Sequence, residues 1–261
     1  MGRRLTLTLF AAALLALAAV SLALAKKNEK PIVVTVGNLR LTANGNFSPT
    51  LLPRNELAPI TLNLSGKIET LDHTHPPAIQ EVIVETDKNG SINAKGLPVC
   101  TSGKLQAQTT AKARAICGSA IVGEGKTSVE VAFPEQRPFV IKSELLVFNG
   151  GVSGGKTKVF VHAYLSSPVS AAVVVPVIVT KIHHGRYGLK TVAKVPKIAG
   201  GYGSPLSFSL KVGRKFTYKG KKQSYLLAKC PDGHLQAKGV GIFSGNLRLA
   251  GSLVRSCTPK G

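Results

Sequence analysis

From residue 30 to the C-terminus the dominant hydrophobic period is two. Segments rich in Val, Ile, Thr, Phe and Tyr alternate apolar and polar side chains, and Gly, Pro and Asn-Gly break them up. Successive side chains of a strand point to opposite faces, so this pattern suits a sheet with one buried face. It offers a helix no continuous apolar stripe. Strands are expected at 32–36, 38–43, 60–65, 79–86, 91–95, 127–133, 139–148, 157–165, 172–182, 188–195, 206–218, 223–230, 234–243 and 247–257. Turns are expected at Asn44-Gly45, Asn89-Gly90, Asn149-Gly150, Lys219-Gly220 and Asp232-Gly233. One helix is expected at 109–117, capped by Thr109 or Thr110 and favoured by Ala111, Ala113 and Ala115. The expected fold is all-β, an antiparallel β-sandwich or a barrel-like sheet with one short helix.

Composition excludes other classes. Hydrophobic residues make up 44% of the 261, too many for a disordered polyelectrolyte despite a net charge of +22. The 27 Gly and 15 Pro follow no triplet period, which excludes a collagen. Only the N-terminus holds an apolar run of membrane-spanning length, which excludes a polytopic membrane protein.

Residues 1–25 read as a cleavable signal peptide. Arg3 and Arg4 form the charged start, residues 5–25 carry no charge, and Ala23-Leu24-Ala25 supplies small residues at the cleavage site. An uncleaved membrane anchor is the rival reading. The mature chain is residues 26–261, one β-rich domain or two lobes of about 26–170 and 171–261. Export sets the redox expectation. Cys100, Cys117, Cys230 and Cys257 read as two disulfides, and local pairing, Cys100 with Cys117 and Cys230 with Cys257, closes the shortest loops. Each bridge is worth roughly 3–4 kcal/mol on the chain-entropy argument.

Two short strings recur. Cys100 to Ala107 echoes Cys230 to Ala237, and Gly37-Asn38-Leu39-Arg40-Leu41 echoes Gly245-Asn246-Leu247-Arg248-Leu249. Their order is reversed between the halves, so a simple tandem duplication does not explain both. Three further strings, starting at Cys117, Val147 and Tyr218, are Cys-Gly-Ser-Ala-Ile-Val-Gly-Glu-Gly, Val-Phe-Asn-Gly and Tyr-Lys-Gly-Lys-Lys-Gln-Ser-Tyr-Leu-Leu-Ala-Lys-Cys-Pro. With these strings the mature chain resembles a group of exported, β-rich bacterial proteins of unknown function. That resemblance implies no activity, cofactor or catalytic residue.

Several strings look like chemistry. Gly150 to Thr157 fits the phosphate-loop pattern letter for letter, but Val159, Val161 and Ala163 alternate behind it, so a strand follows where the loop needs a helix. A glycine-rich hairpin is expected there, and no nucleotide. Within it, Gly151-Val152-Ser153-Gly154-Gly155 matches a nucleophile elbow, with Asp232 and His234 as conceivable partners, but again the helix is missing. His73 and His75 could share a metal if they lay on one strand, and His183-His184 is a weaker pair. Incidental surface histidines are the expected reading, and no metal or cofactor is expected. Glu81 and Glu85 share a strand face, which reads as a solvated face.

Charge is segregated. Residues 26–144 hold 14 Lys plus Arg and 11 acids, a net of +3; residues 145–261 hold 18 and one, a net of +17. The lone acid is Asp232. In a strand, Lys211, Lys215 and Lys219 share a face opposite Leu210, Val212, Phe216 and Tyr218, so a basic ridge is expected over an apolar face. The expected function is that of an exported, non-enzymatic protein of the cell envelope or medium. It would bind an anionic cell-wall polymer or lipid headgroups through Lys211, Arg214, Lys215, Lys219, Lys221 and Lys222, with nucleic acid a poorer candidate. Two alternatives stand beside it: a secreted hydrolase working through His73 and His75 or through Ser153, and a structural envelope component with no ligand. Solubility and edge protection would also use surface lysines.

Overall fold

The computed structural model describes residues 29–166 and 170–261; the signal peptide expected at residues 1–25 lies outside the described residues. Twelve antiparallel strands form one sheet: β1 (Ile32–Val36), β2 (Leu39–Ser48), β5 (Thr61–Thr70), β13 (Gly203–Val212), β8 (Ile121–Val131), β9 (Phe139–Ser153), β10 (Lys156–Leu165), β11 (Ala171–His184), β12 (Tyr187–Lys194), β6 (Ile79–Asp87), β17 (His234–Phe243) and β18 (Arg248–Ser256), in that spatial order. The two ends of the sheet meet. A Cβ on Gly251 of β18 would stand 2.7 Å from Ile32 Cδ1 and 3.3 Å from Val34 Cγ2 of β1, so glycine at that position lets the edge strands approach. The sheet is a nearly closed barrel. It runs continuously through the chain, with β6 between β12 and β17 and β13 between β5 and β8.

Register fixes which side chains face inward. Leu39, Leu41, Ala43, Gly45 and Phe47 of β2 stand opposite Thr70, Ile68, Gly66, Leu64 and Leu62 of β5. Leu62 and Phe47 join the main core cluster, so this face is the inner one. One end of the barrel is plugged by small strands: β4 (Ala58–Pro59), β16 (Leu226–Ala228) and β7 (Gly90–Ile92) form one sheet, and β3 (Leu51–Pro53) pairs in parallel with β19 (Thr258–Lys260). Tyr225, Leu226 and Ala228 pack there against Val122, Val147 and Val159 of the wall, together with Cys230 and Cys257.

Both expected disulfides are formed, Cys100–Cys117 and Cys230–Cys257. The expected helix is α2 (Thr110–Cys117), where the Thr109 hydroxyl accepts the Lys112 N–H as the cap. A single-turn helix, α1 (Ser102–Leu105), precedes it. Cys100, Leu105, Ala113 and Cys117 pack on Leu146 and Phe148, the outward residues of β9.

Two expected turns are strand interior instead. Asn44-Gly45 pairs with Ser65 and Leu64 of β5, and Asn149-Gly150 continues β9. Glycine serves close approach at the second of these, since a Cβ on Gly150 would lie 2.8 Å from Phe160 Cε2. The repeated strings also separate. The segment from Cys100 contains helix α1, whereas its echo from Cys230 runs into strand β17, so the shared letters do not share a structure. The other echo has a simple cause: Gly37 and Gly245, both at positive φ, turn the β1–β2 and β17–β18 hairpins, and the leucines after them meet in one cluster.

Candidate anion-binding site

The lysine-rich stretch is not one strand. β13 ends at Val212, and Gly213 takes φ +147 where a Cβ would meet Thr61 Cα at 3.0 Å. The chain then forms a separate hairpin, β14 (Lys215–Tyr218) and β15 (Lys221–Ser224), closed by Lys219 and Gly220 at φ +49 and +73. Two consecutive residues at positive φ make the tight turn that suits a hairpin's twist. Lys211, Lys215 and Lys219 therefore do not line one ridge, because the break at Gly213 and the turn at Lys219 separate them.

Pairing sorts the hairpin's side chains. Phe216 opposes Gln223 and Tyr218 opposes Lys221, while Lys215 opposes Ser224 and Thr217 opposes Lys222. Phe216 packs on the main cluster and holds its face of the hairpin against the plug. Tyr218 lies on Gly96, where a Cβ would stand 2.1 Å from Tyr218 Cδ2; Gly96 also needs φ +85. Asn93 donates from Nδ2 to Gln223 Oε1 at 2.9 Å, and its N–H reaches the Tyr225 carbonyl at 2.8 Å.

These contacts shape a recess of about 260 Å³ lined by Asn93, Lys95, Tyr218, Lys219, Lys221 and Gln223. Three ammonium groups and two side-chain amides line a shallow bowl with a phenol ring at its edge. Among the described residues none of the three lysines has a carboxylate partner within 4.0 Å.

Of the six residues expected to contact an anion, Lys219 and Lys221 line the recess. Lys215 and Lys222 are exposed on the other hairpin face, and Lys211 is exposed on β13 opposite Glu124. Arg214 is differently engaged: its Nη1 donates to the Ser119 and Ile121 carbonyls at 2.7 and 2.8 Å, tying the hairpin root to the end of the helix. Sequence reading missed Lys95, Asn93 and Gln223. Lys95 and Asn93 come from a loop more than a hundred residues upstream of the hairpin, and no local pattern marks that approach.

The field around the recess is uncompensated by its own half of the chain. Asp232 is spent on Arg186, whose Nη1 and Nη2 reach the carboxylate at 2.6 and 3.0 Å and whose Nε reaches buried Asp87 at 2.8 Å. The Arg186 guanidinium lowers the Asp232 carboxyl to about 2 and is itself pushed further up by the bond. Three turns are tied together there, from β6, β12 and β17.

The strings that resembled catalytic motifs take other roles. β9 and β10 are joined by Gly154 and Gly155 at φ +57 and +72, and a strand follows the glycine-rich string. Ser153 pairs with Lys156 across that turn, while Asp232 is bound by Arg186. His73 and His75 lie outside the strands; His75 Nδ1 is 2.7 Å from Glu130 Oε1. His184 and Lys238 both reach Glu85 on the outer face, and these contacts, the Lys238 hydrogen bond foremost, hold its carboxyl low. Among the described residues no three His, Cys, Asp or Glu side chains are grouped to hold a metal. No described helix is long and apolar enough to cross a membrane. A second recess, of about 320 Å³, crosses the outer face of β10, β11 and β12, with Pro176, Ile178 and Val192 among Lys156, Lys190 and Lys194.

No family model, curated protein or solved structure matches the chain.

Proposed function

We propose that the protein is exported through its N-terminal signal peptide and acts outside the cytoplasm as a non-enzymatic binder of a phosphate-bearing envelope polymer. The recess formed by Lys95, Lys219 and Lys221 is the contact site, with Lys215 and Lys222 extending the basic surface on the hairpin's other face. One observation carries this reading: three lysines from two distant segments line one concavity without a carboxylate partner among the described residues. Asn93 and Gln223 add amide donors that suit phosphate oxygens. Two disulfides fit an oxidising compartment. A polymer gains from repeated charge, because each neutralised phosphate releases a counterion.

The test uses residues 26–261 and long-chain polyphosphate as the probe. Isothermal titration compares the wild type with the triple change Lys95→Gln, Lys219→Gln, Lys221→Gln and with a charge-matched control, Lys126→Gln, Lys142→Gln, Lys197→Gln. The first triple should lose roughly tenfold or more in affinity, about 1.4 kcal/mol, and the control far less. Equal losses would reduce the site to bulk charge, and no wild-type binding would reject the function.

A further inference from the structure

The barrel wall shows an anomaly in burial. In β11, β12, β6 and β17 inward and outward residues are exposed to a similar, partial degree, with no alternation along most of their length. A sheet packed on a filled core buries every second side chain. Inward-facing Val82 and Val84 of β6 are partly exposed, as are Thr191 and Ala193 of β12 opposite them. Phe208 faces inward beside Gly66 and Thr127 and is still 37% exposed.

The inner face therefore borders open space, and strand number explains it. Eight strands already give a barrel that side chains just fill, and diameter grows with strand number. Here twelve strands nearly close, yet much of the middle layer is small: Ala43, Gly66, Gly125, Ala193, Gly239 and Gly251 all lie on the inner face. A Cβ on Gly239 would fit without a clash, in ordinary contact with Ile83 O at 3.6 Å and Val84 Cγ2 at 3.7 Å. The buried clusters lie toward the two ends of the barrel and under the helices; Phe208 covers Gly66, the Ser209 backbone stands over Gly125 and Ile32 over Gly251, so the gap between the packed ends is bordered by Ala43, Ala193 and Gly239.

The gap is mostly apolar: its polar side chains in the middle layer are hydroxyls, of which Thr127 donates to the Ser207 carbonyl at 2.8 Å and Ser143 to the Tyr164 carbonyl at 2.9 Å, while Thr86 and Thr191 add two more on β6 and β12. Water gains few partners in such a space, and larger barrels of this kind hold ligands. A ten-residue strand runs about 33 Å, which a tilt of 35–45° reduces to a wall of roughly 25 Å. The interior between the packed ends runs along that wall.

We propose that the barrel lumen is a binding site for a long acyl chain, bordered by Ala43, Val84, Ala193, Phe208 and Gly239. Its chemistry is independent of the lysine recess. A chain of methylenes matches a wall that offers mainly dispersion contacts.

The probe is cis-parinaric acid, an 18-carbon polyene fatty acid that fluoresces when removed from water. It should bind the wild-type chain saturably. Gly239→Leu and Ala193→Phe, which fill the lumen, should weaken binding roughly tenfold or more, while Ala250→Leu on the outer face leaves it unchanged. The recess triple at Lys95, Lys219 and Lys221 should bind parinarate as the wild type does, which separates failure here from failure of the polymer reading. Val84→Phe substitutes for either lumen variant that lacks the wild-type circular dichroism. No fluorescence gain with the wild type, or equal binding by folded lumen variants, would overturn the proposal.

Discussion

Arg255 on β18 donates from Nε to the carbonyl of Gly45 on β2 at 2.6 Å, across the seam where the sheet closes. Its guanidinium also reaches Asn46 Oδ1 at 2.9 Å and Asn44 Oδ1 at 2.7 Å. β1 pairs only with Leu39–Ala43 of β2, so the remainder of β2 faces β18 without a strand between them. The side chain does there what a ladder of backbone bonds does elsewhere in the wall.

Arg255→Met should therefore destabilise the barrel by about 2–3 kcal/mol, since it removes charge-assisted bonds and leaves a carbonyl unpaired. Urea unfolding reads the change as a lower midpoint with a similar slope. A midpoint within error of the wild type would show that the seam holds without it.

His162 makes stability depend on pH. It is fully buried, its Nε2 donates to the Gln108 carbonyl at 3.0 Å, and its ring meets Phe148 edge-on. Burial lowers its pKa below the ordinary 6.5. The unfolded chain then binds a proton that the folded chain refuses, so the stabilisation is complete above pH 6.5 and is lost as pH falls towards the folded-state value. The slope approaches about 1.4 kcal/mol per pH unit in that window. Thermal unfolding at pH 5 and 8 should differ less in His162→Gln than in the wild type, and an unchanged difference would remove this histidine as the cause.

The disulfides should differ in worth. Cys230 and Cys257 are 27 residues apart, Cys100 and Cys117 are 17 apart. Loop closure alone gives about 3.6 kcal/mol for the longer and about 3.1 for the shorter. Paired Cys→Ser variants tested by urea unfolding should both lose stability, with the Cys230–Cys257 pair losing more. Thiol titration of the native protein should find no free thiol, and four reactive thiols would contradict both bridges.

Gly96→Ala tests how the recess is built. The new methyl group would overlap the Tyr218 ring, and φ +85 disfavours any side chain. Stability should fall by about 1–3 kcal/mol, and polyphosphate affinity should fall with it, because Tyr218 and Lys221 move together. Polyphosphate affinity equal to the wild type's in the folded variant would separate the tyrosine from the site.

Alternation made the strands legible, and the Thr109 cap and even cysteines made the helix and bridges so. Local signals failed where distant backbone decided the outcome. Asn-Gly at 44 and 149 carries the letters of a turn, yet pairing on β5 and β10 holds both dipeptides extended. Gly213 looked like an interruption a strand could absorb, but the wall at Thr61 turns the chain away. The basic stretch foretold Lys219 and Lys221. Lys95 was hidden because its approach depends on Tyr218 seating on Gly96, a contact that spans 122 positions in the chain and leaves no periodic mark.

The most direct measurement is the salt dependence of polyphosphate affinity for residues 26–261. The account predicts a straight decline of log affinity with log salt, and a shallower slope for the triple change at Lys95, Lys219 and Lys221. A flat line, or the same slope for the wild type and the triple, would contradict it.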